Sequence, residues 1–442
     1  MGNIINIDEN NKKLTKLWLI HSVGALALSG FFAIFLVIAR SPEVGKLLPY
    51  KDFFKTSLTI HVNLSVLIWL TSFIATIFAA KTKAIKAGFV GLMVCSAGTV
   101  LVTLSILDTT AEAYLNNYIP MLNSNIFQMG IWVYFIGFLI ASFQGYETNA
   151  DYKFLRWFNY SSFFIILASF ITLLITYSRL NAPENLNIYG FADHYERLFW
   201  GFGHMLQFLY VNALMLAVFW IAMEIFSDNQ SKLFLKLRNF CFGINVTLAL
   251  TGIYIVYTYD VTSAEYINFY TKQMIMFGGV AASLALIIIV PVVMKNWKNA
   301  ANQKPVRNAL LWAIILFGAG GIISMFISGS NTIIPAHYHG SIIGISVALM
   351  GLCYLIMPKL GYHEIKGRMA NVQPVLYGFG QLLHITGFAI SGGYGAMRKA
   401  PGVELPVEAK VYMGLMGLGG LISIIGGLFF VIIIFKSILK RS

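Results

Sequence analysis

Residues Gly279–Met294, GVAASLALIIIVPVVM, run for sixteen positions without one charged side chain. A strand with one buried face alternates apolar and polar residues. This stretch does not alternate, and with its flanks it reaches the roughly 20 residues a helix needs to cross a hydrocarbon core. Similar runs bounded by charge recur on both sides of it, near residues 17–39, 56–80, 85–107, 125–146, 159–179, 199–226, 237–259, 271–294, 308–330, 335–357, 373–396 and 411–435. Twelve such spans use about 240 residues and leave short connections. The pattern therefore predicts an all-α polytopic membrane protein with about twelve transmembrane helices, since a barrel would need short alternating segments. Composition agrees: 58% of residues are hydrophobic and 11% charged, where a soluble domain carries about 25% charged residues.

The formal charge of +13 reports topology rather than a polyanion partner. With the N-terminus in the cytoplasm, 21 of the 31 Lys and Arg residues fall on the cytoplasmic side and 10 on the other. Basic residues are retained on the cytoplasmic side during insertion. Both termini are thus predicted to be cytoplasmic, in a bacterial-type inner membrane, with membrane lipid as surroundings and no nucleic acid partner. The organisation expected is a tail over 1–16, one twelve-helix membrane domain over 17–435 and a tail over 436–442. The polar start MGNIINIDENNKKLTK and the span-length run behind it read as uncleaved. Cys95, Cys241 and Cys353 stand singly inside spans, with no C-x-x-C-H, so any haem is held non-covalently.

Histidines carry the functional signal. His61 lies about five residues into the second span from its outer end, His204 sits similarly in the sixth, and His337 and His339 open the tenth. At 1.5 Å rise per residue all four come within about 10 Å of the outer surface. Imidazole suits the bundle interior better than lipid, where it can bind haem iron or another metal. Residues i and i+2 on a helix point about 200° apart, so His337 and His339 face opposite sides of one helix and suit two separate centres.

In these features the chain resembles subunit I of the haem-copper oxidase superfamily, which includes the nitric oxide reductases, over nearly all twelve spans. The tenth-span stretch AHYHGSIIGISVALMGLCYLIMPKLGY is similar to the family's H-x-H motif, and WGFGHMLQF to its W-G-x-x-H motif. The resemblance implies that His337 is the proximal ligand of a high-spin haem, and that His339 and His61 are the axial pair of a low-spin haem. It also implies that His204 binds the non-haem metal, and that Arg398 and Lys399, in GGYGAMRKAPG, bond haem propionates. Two non-covalent haems of b type follow, with a cytochrome c or subunit II-like electron donor in a separate chain.

The resemblance breaks at the seventh span. The adjacent His-His pair that the family uses with the sixth-span histidine is absent, and GIYIVYTYDVTSAEY offers Tyr254, Tyr257, Thr258, Tyr259 and Asp260 instead. The residues one turn after His204 are Gln207 and Phe208, neither the reductases' glutamate nor the oxidases' tyrosine. Three arrangements stay open: oxygen ligands from Tyr257, Tyr259 or Asp260 around iron rather than copper, His194 folding back as a second nitrogen ligand, or no metal at all. Protons have no acidic route deep in a span, which leaves outer-side access past Asp260, Glu265 or Asp193. His384 reads as a satisfied polar contact, and the glycines of GLMGLGGLISIIGG as close helix packing.

The function these observations imply is a respiratory membrane oxidoreductase subunit that passes electrons through a low-spin to a high-spin haem and reduces a small gas, oxygen by default. His204, Tyr257 and Tyr259 are its catalytic candidates. The alternatives are nitric oxide handling and a haem paralogue that only transfers electrons. A twelve-span secondary transporter would show a paired repeat or midplane charges, and neither is visible.

Overall fold

The computed structural model describes residues 7–38, 53–147, 153–182, 185, 189–226, 232–398 and 404–439. It contains twelve long helical rods: α1 Glu9–Ile38, α2 Phe53–Ala79, α3 Ile85–Leu107, α4 Asn125–Tyr146, α5 Lys153–Leu180, α6 Phe191–Ile225, α7 Lys232–Thr258, α8 Ala264–Asn296, α9 Lys304–Ser324, α10 Ile333–Lys359, α11 Arg368–Gly393 and α12 Val407–Leu439. Each coincides with one expected span, usually lengthened by polar turns. At α1, for example, the Asp8 carbonyl accepts from the amides of Asn11 and Lys12 at 2.9 and 3.0 Å, nine residues before the apolar run starts. Among the described residues, eleven rods are long and apolar enough to cross a membrane. The other is α11, which Asn371, Gln373, Gln381 and His384 interrupt.

By contacts the rods fall into two compact units. The first comprises α1 to α5, α6 as far as Met215, α7, and α8 as far as Ala285; the second comprises α6 from Leu216, α8 from Leu286, and α9 to α12. Close packing in each depends on small residues, as expected where lipid supplies no hydrophobic drive between helices. In the first unit a Cβ on Gly98 of α3 would lie 2.6 Å from the Tyr134 amide nitrogen of α4. In the second, Gly419 and Gly426 of α12 would meet the amide nitrogens of His384 and Tyr377 of α11 at 2.4 and 2.6 Å. Gln373 of α11 is bonded on both sides: it accepts from the Tyr354 hydroxyl at 2.8 Å and donates to the Gly426 carbonyl at 3.2 Å.

Two local features position functional side chains. The first is a π-helical segment, Asn63–Ile68, which interrupts α2 two residues after His61. Such segments cluster at functional sites. The second is a small antiparallel hairpin between α3 and α4, in which β1 Ala113–Tyr114 pairs with β2 Met121–Leu122. Nothing in the hydropathy pattern signals this hairpin.

Candidate cofactor-binding site

In the first unit, His61 of α2 faces α1, where its Nδ1 lies 2.9 Å from the Ser29 carbonyl and 3.0 Å from the Ser29 hydroxyl. In the second unit, α10 carries His337 and His339. The His337 Nδ1 lies 2.8 Å from the Gly320 carbonyl of α9, and the His339 Nδ1 lies 2.8 Å from the Pro335 carbonyl one turn earlier. A neutral imidazole whose Nδ1–H donates to a carbonyl carries its lone pair on Nε2, the arrangement seen when second-sphere carbonyls orient metal-bound histidines. The donor set of all three residues therefore fits haem iron.

Around His339 the structure assembles more than the H-x-H pattern predicts. Its ring centroid lies 4.8 Å from that of Tyr338, 5.0 Å from that of His384 on α11, and 5.7 Å from that of Phe388 one turn further on. His384 has the satisfied contact expected of it, with Nδ1 2.8 Å from the Met416 carbonyl of α12. That it also stands beside a proposed haem ligand is not legible in the sequence. Arg398 is tethered at the start of α10: its amide donates to the Ser330 carbonyl at 3.3 Å and its Nε to the Ser330 hydroxyl at 3.2 Å. Lys399 lies outside the described residues.

His204 is built differently. It is 2% exposed in α6, and its Nδ1 lies 2.7 Å from the Trp200 carbonyl. Its Nε2 lies 2.8 Å from the hydroxyl of Tyr118, which the hairpin between β1 and β2 delivers. The rings nearest His204 are those of Tyr118 at 4.6 Å, Trp200 at 5.1 Å and Tyr270 at 5.7 Å between centroids. The tryptophan and both glycines of the WGFGH motif have physical roles here. Trp200 Nε1 donates to the Ile267 carbonyl at 3.0 Å. A Cβ on Gly201 would lie 2.8 Å from the Tyr266 hydroxyl, and one on Gly203 only 2.2 Å from the Tyr118 ring. Sequence reading missed Tyr118; the second glycine of the motif is the trace it leaves.

The other residues suggested for this site lie elsewhere. Tyr257 is 61% exposed on α7, and Tyr259 stacks on Phe269 with centroids 4.1 Å apart. His194 does not fold back: it lies in the first turn of α6, ten residues before His204 on the same helix, a separation of about 15 Å along the axis. Among the described residues, no three His, Cys, Asp or Glu side chains converge as a metal-holding group. At the turn joining α7 to α8, Asp260 accepts from the Thr262 amide and hydroxyl, both at 2.7 Å. The Thr262 bonds, with Arg179 and Arg197 nearby, hold its carboxyl below the usual carboxylate range. That makes it a fixed charge and a poor proton carrier near neutral pH.

Comparison with known proteins places the chain in a family and a fold. The family described as Cytochrome C and Quinol oxidase polypeptide I matches residues 13–422, and the chain belongs to that family. An uncharacterised protein of Rickettsia prowazekii (strain Madrid E) is 30% identical, across 97% of this chain and 96% of its own length. An uncharacterised protein of Aquifex aeolicus (strain VF5) is 26% identical, across 81% of this chain and 88% of its own. A chain from a cryo-EM structure of a heme-copper terminal oxidase dimer superposes with a TM-score of 0.78 at 16% identity, covering 99% of this chain and 85% of that one. What this last likeness carries is the fold.

Proposed function

We propose that this chain is the haem-bearing subunit of a respiratory membrane oxidoreductase. Family membership supports the class. The observation that carries the cofactor reading is the H-x-H pair of α10, with each Nδ1 held at 2.8 Å by a main-chain carbonyl. His337 would hold a high-spin haem, and His339 and His61 would each supply an axial ligand to a low-spin haem. Arg398, with Lys399 beside it in sequence, would face propionates. When bound, haem supplies one-electron transfer and, where one axial position is open, binding of a small gas, with oxygen the default.

The chain's own residues perform the orienting work. The carbonyls of Gly320, Pro335 and Ser29 fix the imidazole tautomers and ring planes. Electrons would come from a separate donor chain of cytochrome c or subunit II type, and both termini would lie in the cytoplasm of a bacterial-type cell.

A second reading, a haem paralogue that only transfers electrons, is favoured by one observation: both ring nitrogens of His204 are engaged by protein atoms. A reduced-minus-oxidised absorption spectrum of the purified chain, with and without carbon monoxide, tests the haem reading. Low-spin bands together with a carbon monoxide-sensitive component are expected, and a spectrum without haem bands would sink it. Oxygen and nitric oxide consumption assays then separate gas reduction from electron transfer.

A further inference from the structure

In the haem-copper family the sixth-span histidine binds a non-haem metal together with two further imidazoles. The residues here do not fit that group. A neutral imidazole has one donor and one acceptor nitrogen. With the His204 Nδ1–H directed at the Trp200 carbonyl at 2.7 Å, Nε2 must be the acceptor, and the Tyr118 hydroxyl at 2.8 Å donates to it. The lone pair that a metal would need is already in use. We propose that Tyr118 holds the position on His204 that the family gives to a non-haem metal, so that this chain carries a tyrosine–imidazole hydrogen-bonded pair there and no metal centre.

Three further observations make this a built arrangement. First, position 203 is shaped for the Tyr118 ring: a Cβ there would lie 2.2 Å from the Tyr118 Cγ and 2.4 Å from its Cβ, so the ring or the hairpin carrying it would have to move. Second, the hairpin that carries Tyr118 is pinned on both sides of it. Asn63 Nδ2 donates to the Pro120 carbonyl at 2.8 Å, and Asn116 Nδ2 donates to the Ala192 carbonyl at 3.0 Å. The Asn117 amide donates to the Glu196 carboxylate at 3.0 Å. Third, the two other polar side chains whose rings lie nearest His204 have partners of their own. The Tyr270 hydroxyl donates to the Gly252 carbonyl at 2.6 Å, and the Trp200 indole is held by Ile267. Copper prefers several nitrogen ligands, and a lone imidazole already accepting a hydrogen bond gives it little affinity.

The inference rests on family membership and not on the haem reading, so metal is counted per polypeptide and stays measurable whatever the haem content. The experiment uses the full chain, purified in detergent from copper-supplemented cells and labelled with [15N]histidine, in three forms: wild type, His204→Gln and Tyr118→Phe. Copper, zinc, manganese and total iron are measured by plasma mass spectrometry, and non-haem iron is total iron less the haem iron measured by pyridine haemochrome absorbance. Each is expected well below one per chain in all three forms. The solid-state 15N resonance of the His204 Nε2, assigned by its loss in His204→Gln, is expected to move in Tyr118→Phe because the acceptor loses its donor. Helical circular dichroism and a single gel-filtration peak report folding. If Tyr118→Phe does not fold, Gly203→Ala supplies the same comparison by displacing the ring. One metal per chain in the wild type that disappears in His204→Gln overturns the proposal. So does an Nε2 resonance unmoved in a folded Tyr118→Phe or Gly203→Ala protein.

Discussion

His337 and His204 begin from the same local chemistry and end differently. Both are helical histidines whose Nδ1 is held by a main-chain carbonyl, Gly320 for one and Trp200 for the other. At His204 a hydroxyl from a distant loop then takes Nε2, and neighbouring aromatic rings close around the imidazole. A second-sphere carbonyl is therefore not sufficient to mark a metal ligand: it prepares Nε2 as an acceptor, and whichever group reaches that nitrogen decides what the histidine does. On α10 the family's cofactor pattern is intact. On α6 the motif is intact in sequence, yet its second glycine accommodates a tyrosine ring.

The comparison breaks most visibly if the proposed ligands on either side behave alike. His337→Ala should abolish carbon monoxide binding. His61→Ala and His339→Ala should each remove the low-spin bands while leaving some carbon monoxide binding. His204→Ala should leave both spectral components in place. Absorption spectra of the four purified variants decide this, and intact low-spin bands in both His61→Ala and His339→Ala would reject the axial pair.

Much of this was legible because a membrane span is long and repetitive. Twelve apolar runs foretold twelve rods, and errors were confined to ends such as Glu9–Lys16, where polar residues continue a helix already nucleated. The hairpin was not legible: two pairs of strand residues leave no periodicity. Without the hairpin, Tyr118 could not be brought to His204 by any spacing argument. The tyrosines of GIYIVYTYDV read as ligands because they stand in the stretch where the family carries its His-His pair. The 61% exposure of Tyr257 depends on the rotation of α7, which its mixed apolar pattern does not fix. The contact of His384 with His339 likewise depends on close glycine-mediated packing and helix rotation rather than on any motif.

Topology supplies a large but indirect test. The basic-residue asymmetry puts Asn181 outside and Lys83 in the cytoplasm, both exposed and both in the first unit. Single cysteines at these positions, in a background with Cys95, Cys241 and Cys353 replaced, should react with a membrane-impermeant maleimide in intact cells at 181 only. Labelling at 83 instead would reverse the orientation and place the outer ends of α2 and α6, with their histidines, toward the cytoplasm.

A smaller effect is expected at His384. Its ring packs beside His339 and its Nδ1 is bonded to the Met416 carbonyl. His384→Phe keeps an aromatic ring there and removes that bond, so the low-spin haem should remain with a modest shift in midpoint potential, read by redox titration. Complete loss of the low-spin bands would mean that His384 is itself an axial ligand, and the pairing of His61 with His339 would have to be redrawn.

The smallest effect is expected at Asp260, where the sequence suggested proton access to the outer side of the site. Its carboxylate accepts two bonds from Thr262, with Arg179 and Arg197 nearby, and its pKa lies below the ordinary value of 3.8. A depressed carboxylate pKa contributes stability that is present above the unfolded value and is lost as pH falls through the folded one. Asp260→Asn should therefore be slightly less stable than wild type at pH 7, and the gap should close as pH drops below about 4. Because the group is largely exposed, solvent screens its charge interactions and the difference at neutral pH should be small. Thermal unfolding in detergent at several pH values measures the gap, and a gap that stays constant or widens in acid would contradict the assignment. The same variant separates anchoring from proton transfer: if Asp260 fixes the turn between α7 and α8, the pH dependence of any turnover should be unchanged in Asp260→Asn, whereas a relay at this position would lose its alkaline or acidic limb.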